Sequence, residues 1–447
     1  MLKLSISSCL IAFLITACSV STMPKGMVDR KAWKQTPAWA QARLQQSWWK
    51  QYGDASLNQD IATAFSNNPD LAVIAARLER ADASVKSARA ASLPSLNLGI
   101  GHRDGRKQNV DFGPYNLAPW QGEAQLSWEI DLSGRLRAAT RSARYAREAA
   151  FWDVHAARLQ LASRIATARF NLYRFNAEMN FLRDSTAASL KTVDTLKQQA
   201  GAGIIAHTQV NKQRAEHEKF RRQLIDVTRM RDLTVVQLRT LTGGARISNR
   251  SQSKLPAAGA KSSYSIEELL AANPRVLAAE ARVRAAFQLE KSAKLNLLPS
   301  FRLSASALGS GQSLTGKYRT WQHQVGPSLD IPIYDPKRLA QLSSRRAESK
   351  MAAAQYTSAV LTVLEEVDSA HINLQSRRHQ LAAAQSEVAS LEIARRDARA
   401  QFDAGLTSQI ELLDTERRWL DAKRAQATLK QALLQSHIRL MKARGGS

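Results

Sequence analysis

Two long stretches without a helix breaker constrain this chain more than anything else in it. Arg135 to Ala200 holds neither glycine nor proline for 66 residues, and Lys337 to Ala404 holds neither for 68. A glycine-containing turn follows each, and then a second unbroken run of 39 residues, Ile204 to Thr242 and Leu406 to Arg444. At a rise of about 1.5 Å per residue the longer runs make helices of roughly 100 Å. A globular domain of this length is far narrower than that. The chain is expected to build a tube or a rod.

The runs come in pairs because the chain is a tandem duplication. Asn68-Pro69 recurs as Asn273-Pro274, an offset of 205, and the same offset pairs Lys86-Ser87-Ala88 with Lys291-Ser292-Ala293 and Leu93-Pro94-Ser95 with Leu298-Pro299-Ser300. Self-similarity at a fixed offset is the signature of a repeated structural unit. Within the runs the apolar residues fall in stripes. Leu161, Ile165, Ala168, Leu172, Phe175, Met179 and Leu182 follow the 4-3 spacing that seats one helix against another. Val360, Leu364, Val367 and Leu374 are read the same way, with His371 on the stripe as a tolerated, hydrogen-bonded polar residue.

Between helices the period changes to two. Leu96, Leu98 and Ile100 alternate with Asn97, Gly99 and Gly101, and Ala124 to Leu132 alternates with Gln125, Ser127, Glu129 and Asp131. Phe301, Leu303 and Ala305, and Val325, Leu329, Ile331 and Ile333, repeat the pattern in the second half. Apolar on one face and polar on the other is how membrane barrel strands read. Pro94 and Pro299 mark helix-to-strand junctions, and Gly134 and Pro336 mark the return to helix. The segments 103–119 and 309–320 are expected to be solvated loops. No run approaches the roughly 20 apolar residues of a spanning helix, so any crossing uses strands. Four strands cannot close a barrel, and an open sheet in lipid leaves costly unpaired backbone groups. Copies must therefore associate: at least two, and three where a wide bore is needed.

The N-terminus reads as an export signal. Lys3 precedes an apolar stretch from Leu4 to Ala17, too short to span, ending in Ile15-Thr16-Ala17-Cys18. This ending resembles the bacterial lipobox, which implies acylation of Cys18, and Ser19 after it implies transfer to the outer membrane. Cys9, the other cysteine, lies inside the leader, so no disulfide and no Cys metal site is expected. The net charge of +26 raises nucleic-acid binding, a reading that export argues against. The expected organisation is a signal peptide at 1–17, a lipid-anchored arm at 18–53, a first repeat at 54–242, a linker at 243–263 and a second repeat at 264–444.

Several motifs in order carry a family resemblance: Trp48-Trp49-Lys50-Gln51-Tyr52-Gly53-Asp54, Asn67-Asn68-Pro69-Asp70-Leu71, the Leu-Pro-Ser junctions, Trp128-Glu129-Ile130-Asp131-Leu132, and Ala404-Gly405-Leu406. Together they resemble the RND-type outer-membrane efflux lipoproteins of the TolC-like superfamily, over nearly the whole mature chain. The resemblance implies a mainly α protomer with four membrane strands, part of a homotrimer whose twelve-stranded β-barrel continues into a periplasmic α-helical barrel. It implies as partners a periplasmic membrane-fusion adaptor, an inner-membrane RND-type transporter and outer-membrane lipid. Ala202, Gly203, Ile204, Ala404, Gly405 and Leu406 look like the adaptor-docking tips, although glycine is also what a tight helix turn wants. Glu411 and Asp414 match acidic residues that narrow the entrance in the family; in the first half Gln209 stands at the matching place. Ser408 to Glu411 also reads as a capping box.

Two departures stand out: Asp335-Pro336-Lys337-Arg338 where the family often has glycines, and arginine doublets such as Arg417-Arg418, solvated faces or a duct lining that favours anions. No P-loop, His-Glu-x-x-His or Gly-x-Ser-x-Gly occurs, so neither enzyme activity nor a cofactor is expected, and energy must come from a partner. The expected function is the exit channel of a tripartite pump for small molecules. Alternatives are a type I protein secretion duct and a periplasmic coiled-coil scaffold, which would need no strands.

Overall fold

A computed structural model describes residues 47–102, 106–109, 113–116, 120–247, 266–311 and 320–446. A short 3-10 turn, Trp48–Tyr52, leads to α1 (Ala55–Asn67) and α2 (Pro69–Ala90), then β1 (Ser95–His102), a hairpin of β2 (Arg106–Asn109) and β3 (Gly113–Asn116), and β4 (Trp120–Ile130). Helices α3 (Arg135–Gly201) and α4 (His207–Leu241) complete the first half. The second half repeats the order with α5 (Ile266–Ala272), α6 (Pro274–Leu295), β5 (Ser300–Gly311), β6 (Thr320–Asp330), α7 (Pro336–Asp403) and α8 (Gln409–Ala443). Two compact units result. One is built from residues 85–143 and 284–350, the other from residues 47–84, 144–283 and 351–446.

In the first unit the strands form one antiparallel sheet ordered β1-β4-β5-β6. Its register puts Leu96 opposite Leu126, Leu126 opposite Ala305 and Ala305 opposite Val325, so one face is apolar across all four strands. Asn97, Gln125, Ser306 and Gln324 align on the other face. The apolar face carries Trp120 stacked edge-on against His102 at 4.9 Å, with Trp321 near the same end. Such an aromatic rim is what membrane barrels place at the lipid–water boundary. The outer strands β1 and β6 have one neighbour each among the described residues, and their side chains are almost all exposed. Serine and threonine hydroxyls staple the adjoining helices: Thr140 to Ala88 O at 3.1 Å, Ser142 to Ala285 O at 2.8 Å and Ser292 to Arg135 O at 3.1 Å.

The strand-to-helix returns solve one problem in two ways. In the first half Asp131 accepts the Leu136 and Arg137 amides while Gly134 takes φ +83°. In the second half Asp335 accepts the Lys337 and Arg338 amides, and Pro336 opens α7. Proline suits a first helical position because its missing N–H has no partner there in any case. The departure at 335–338 is therefore a different cap on the same turn.

In the second unit each half locks its own ends together. Asn68 accepts the Leu71 amide with Oδ1 and donates Nδ2 to Leu241 O at 2.9 Å; Asn273 accepts the Arg275 amide and donates to Ala443 O at 2.8 Å. Beside these joints Gly243 and Gly445 hold φ of +70° and +82°, and a Cβ there would stand 2.3 Å from Asn67 O and 2.7 Å from Ala272 O. The Asn-Pro repeat seen in the sequence is thus a helix cap that also closes a joint more than 160 residues away in the chain.

Several expectations need correction. The buried stripe of α7 is Val363, Val367, Ala370 and Leu374, and His371 is exposed. Val367 and Leu374 are buried as expected, while Val360 and Leu364 are only half-buried. Of the α3 stripe, all but the half-buried Met179 are buried. The segment 103–119 holds a paired hairpin rather than only loop, with Arg106 opposite Asn116. β5 runs on to Gly311, so it takes in the start of the expected 309–320 loop. β4 and β6 stop at Ile130 and Asp330, and Leu132, Ile331 and Ile333 lie beyond them, exposed. The four paired strands themselves count against the scaffold alternative.

Candidate functional site

The two helix turns expected as docking tips have the same geometry. In the first, Gly203 N–H donates to Ala200 O at 3.1 Å and Ile204 N–H to Gln199 O at 2.9 Å. In the second, Gly405 N–H donates to Phe402 O at 2.9 Å and Leu406 N–H to Gln401 O at 2.8 Å. This is the Schellman closure of a helix, which needs a left-handed residue; Gly203 and Gly405 supply φ of +72° and +74°. Nothing lies within 4 Å of where their Cβ atoms would be. Ala202 and Ala404 are exposed, as are Ile204 (71%) and Leu406 (79%). In a Schellman turn that apolar residue usually packs back on its own helix. Here both stand out into solvent.

The residues expected at the entrance follow on α8. Ser408 Oγ accepts the Glu411 amide at 3.3 Å, the first half of a capping box. The Glu411 carboxylate accepts the Thr407 hydroxyl at 2.7 Å instead of completing the box. Asp414 is held by Arg417 at 2.6 Å and Arg418 at 2.8 Å, one turn along the same helix. Its carboxylate is thus shared by two guanidiniums. With Gln209, Lys212, Arg417 and Leu196, Asp414 lines an open cleft of about 420 Å³ between α3, α4 and α8. Helix α4 begins without a side-chain cap at Ala206, whereas α8 has Ser408. Cys18 lies outside the described residues, as do residues 18–46 of the expected arm and most of the expected linker.

Sequence reasoning missed a buried polar cluster behind the Trp48-to-Asp54 motif. Trp48 and Tyr52 are core residues, and Tyr52 Oη lies 2.7 Å from His437 Nδ1. Asp54 caps α1 through the Ser56 and Leu57 amides and accepts the Tyr173 hydroxyl at 2.7 Å. Arg169, fully buried, stands 3.4 Å from Asp60. Burial pushes the Asp60 carboxyl up to about 6 against the pull of Arg169. Burial, helped by Arg378 and Arg444, lowers His437 to about 4. These contacts join residues over 100 to nearly 400 positions apart, which no local pattern reveals. The only signal was the density of aromatics, with Asp54, before α1. Among the described residues no group of three or more His, Cys, Asp or Glu side chains could hold a metal ion.

Comparison with known proteins places this arrangement. The family model described as outer membrane efflux protein matches residues 61–244 and 265–446, one match per half. The chain is 28% identical to the pyoverdine export outer membrane protein OpmQ of Pseudomonas putida, over 97% of this chain and 95% of that one. It is 26% identical to the toluene efflux pump outer membrane protein TtgF of Pseudomonas putida, over 90% and 85%. Among solved structures, the outer-membrane channel OprN aligns with a TM-score of 0.81 and 25% identity, covering 90% of this chain and 92% of that one. VceC of Vibrio cholerae aligns with a TM-score of 0.79 at 24% identity, over 90% and 98%, and shows the fold alone. The fold is that of the TolC-like trimeric barrel channels, mainly helical and built as a tandem repeat. Fold and relatives are those of channels, not of enzymes. This chain belongs to the outer membrane efflux protein family and is a channel protein of the outer membrane.

Proposed function

We propose that three copies of this chain form the exit duct of a tripartite pump that carries small organic molecules out of the cell. A periplasmic adaptor and an inner-membrane RND-type transporter supply the cargo and the energy, and the duct itself does no chemistry. The observation that carries this reading is the pair of matching tips, each with an exposed apolar residue, Ile204 and Leu406, after a left-handed glycine. A partner that docks there gains apolar burial without disturbing any internal contact of the turn. The names of relatives support a small-molecule cargo: pyoverdine export, toluene efflux, and, for a Burkholderia cepacia protein 28% identical over 67% of this chain, fusaric acid resistance.

In this reading the mature chain starts at acylated Cys18, residues 18–53 tie it to the membrane, and 54–242 and 264–444 are the two repeats joined by 243–263. Glu411 and Asp414 stand at the periplasmic entrance. With Arg417 and Arg418 on its carboxylate, Asp414 makes a self-neutralised ring rather than a cation trap. The test is crosslinking in cells from cysteines placed at Gly203 and Gly405, with the attached protein identified by mass. A membrane-fusion adaptor of the drug-efflux kind is expected. An adaptor of a protein secretion system, or no adduct at either tip, would overturn the reading.

A further inference from the structure

Midway along α4 and α8, a second open cleft of about 420 Å³ is bounded by α3, α4 and α8. Three guanidiniums converge on it, Arg174 from α3, Arg222 from α4 and Arg424 from α8. The carboxylates available to them fall short. Glu178 alone serves two, at 3.0 Å from Arg174 and 2.7 Å from Arg424. Asp226, the other acid on the wall, is already held by Arg229 at 2.7 Å. Arg222 has no ion-pair partner among the described residues. Arg424 draws further on the Gln223 side-chain oxygen at 3.3 Å.

The deficit is partly buried. The Arg174 side chain is 20% exposed and Glu178 14%, and the buried Arg174 Nε has no hydrogen-bond acceptor. Withdrawing a guanidinium from water is unfavourable unless its N–H groups and its charge are both met. Burial weakens the hold of Arg174 on its proton, with Glu178 opposing and the like charge of Arg424 adding to it. Beside the charged rim the lining is apolar. Phe175 packs under Arg174 at 4.1 Å, and Val227 and Met230 continue the surface from α4. Phe175 and Val227 belong to a packed cluster with Leu182, so this part of the cleft is rigid.

We propose that this cleft binds an organic anion, a carboxylate on an apolar or aromatic body. The charged end meets Arg222 and Arg424, and the body lies against Phe175, Val227 and Met230. The volume falls within the roughly 300–1,000 Å³ common for small-molecule sites. Charge-assisted bonds to a carboxylate give Arg its advantage over Lys here. The binding stands on this geometry alone. That the anion is exported cargo rests on the duct reading above.

The experiment is calorimetric titration of salicylate into the purified, assembled full-length protein in detergent at pH 7. Benzyl alcohol serves as the ring without charge and sulfate as the charge without ring. Saturable salicylate binding is expected, weakened about tenfold or more by Arg222→Gln and by Arg424→Gln, in line with loss of one charged hydrogen bond. Arg222→Gln removes no internal ion pair, so it reads binding independently of folding. No saturable salicylate binding to the assembled protein, including the case where a neighbouring copy's carboxylate fills the cleft, would overturn the proposal. So would equal binding by both variants, and sulfate matching salicylate would overturn the organic class. Failure of Gly203 and Gly405 to capture an adaptor, with salicylate binding intact, would instead defeat the duct reading alone.

Discussion

The joints and the tips of the helical hairpins use the same residue for opposite ends. At the joints Gly243 and Gly445 take positive φ with backbone pressed against the missing side chain. At the tips Gly203 and Gly405 take nearly the same φ with open space around them. The joint is fixed from within, by Asn68 or Asn273 reaching a helix-terminal carbonyl. The tip answers only to its own turn. The joints are therefore constrained by packing, and the tip glycines by backbone conformation alone. Charge divides the same way: the joint unit buries Asp60 with Arg169, while the tip exposes Asp414 with Arg417 and Arg418.

The largest effect should separate the two glycines. Gly243→Ala meets both a left-handed backbone and a carbonyl oxygen 2.3 Å away, and is expected to prevent stable folding of the helical unit. Gly203→Ala faces only the left-handed conformation, about 1–2 kcal/mol. Thermal unfolding followed by circular dichroism measures both; equal losses would erase the distinction. Next, Asn273→Ala leaves the buried Ala443 carbonyl and Arg275 amide without their partner, a cost of about 1–3 kcal/mol. Denaturant midpoints should show a slightly smaller loss for Asn68→Ala, since Asn68 is less buried.

A pH dependence sharpens the buried side of the comparison. His437 takes a proton near 6.5 when unfolded but only near 4 when folded, so it withdraws stability as pH falls from about 6.5 to about 4. Asp60 works the other way. Folded, it takes its proton near 6, above its unfolded value near 3.9, so its contribution grows as pH falls from about 6 to about 4. The two oppose each other in wild type. His437→Asn should remove the acid-side loss and leave stability rising on acidification, read as urea midpoints between pH 7 and 4.5. A profile unchanged from wild type would mean that His437 is not perturbed by its burial. The smallest effect on stability belongs to the tip. Arg417→Gln and Arg418→Gln should each cost under about 1 kcal/mol, as exposed pairs do. The double variant should nevertheless make single-channel current sensitive to millimolar Mg²⁺, because Asp414 is released. Equal Mg²⁺ sensitivity in wild type would show that the pairs do not occupy the carboxylate.

Much of this architecture was legible in the sequence because it is periodic. The offset of 205 that links Asn68 to Asn273, the alternation through Ala124 to Ile130, and the breaker-free runs are local or repeating signals, and each maps onto an element. What stayed hidden is aperiodic. His437 next to Tyr52, and Arg424 reaching Glu178 across 246 positions, are meetings that only the packed helices bring about. On α7 the spacing places Val367 and Leu374 rightly, but the burial of Val363 rather than Leu364 is decided by the neighbouring helices.

The duplication has one further consequence in the sheet. Because each half contributes a hairpin's worth of strands, β1-β4 and β5-β6, the sheet holds an even number of them, and its two outer strands run in opposite directions. In the proposed trimer, the free side of β6 would meet the free side of β1 on a second copy, and the seam would be antiparallel like every internal pairing. A duplicated two-stranded half thus makes a unit that can be added to itself around a circle with no odd seam to reconcile.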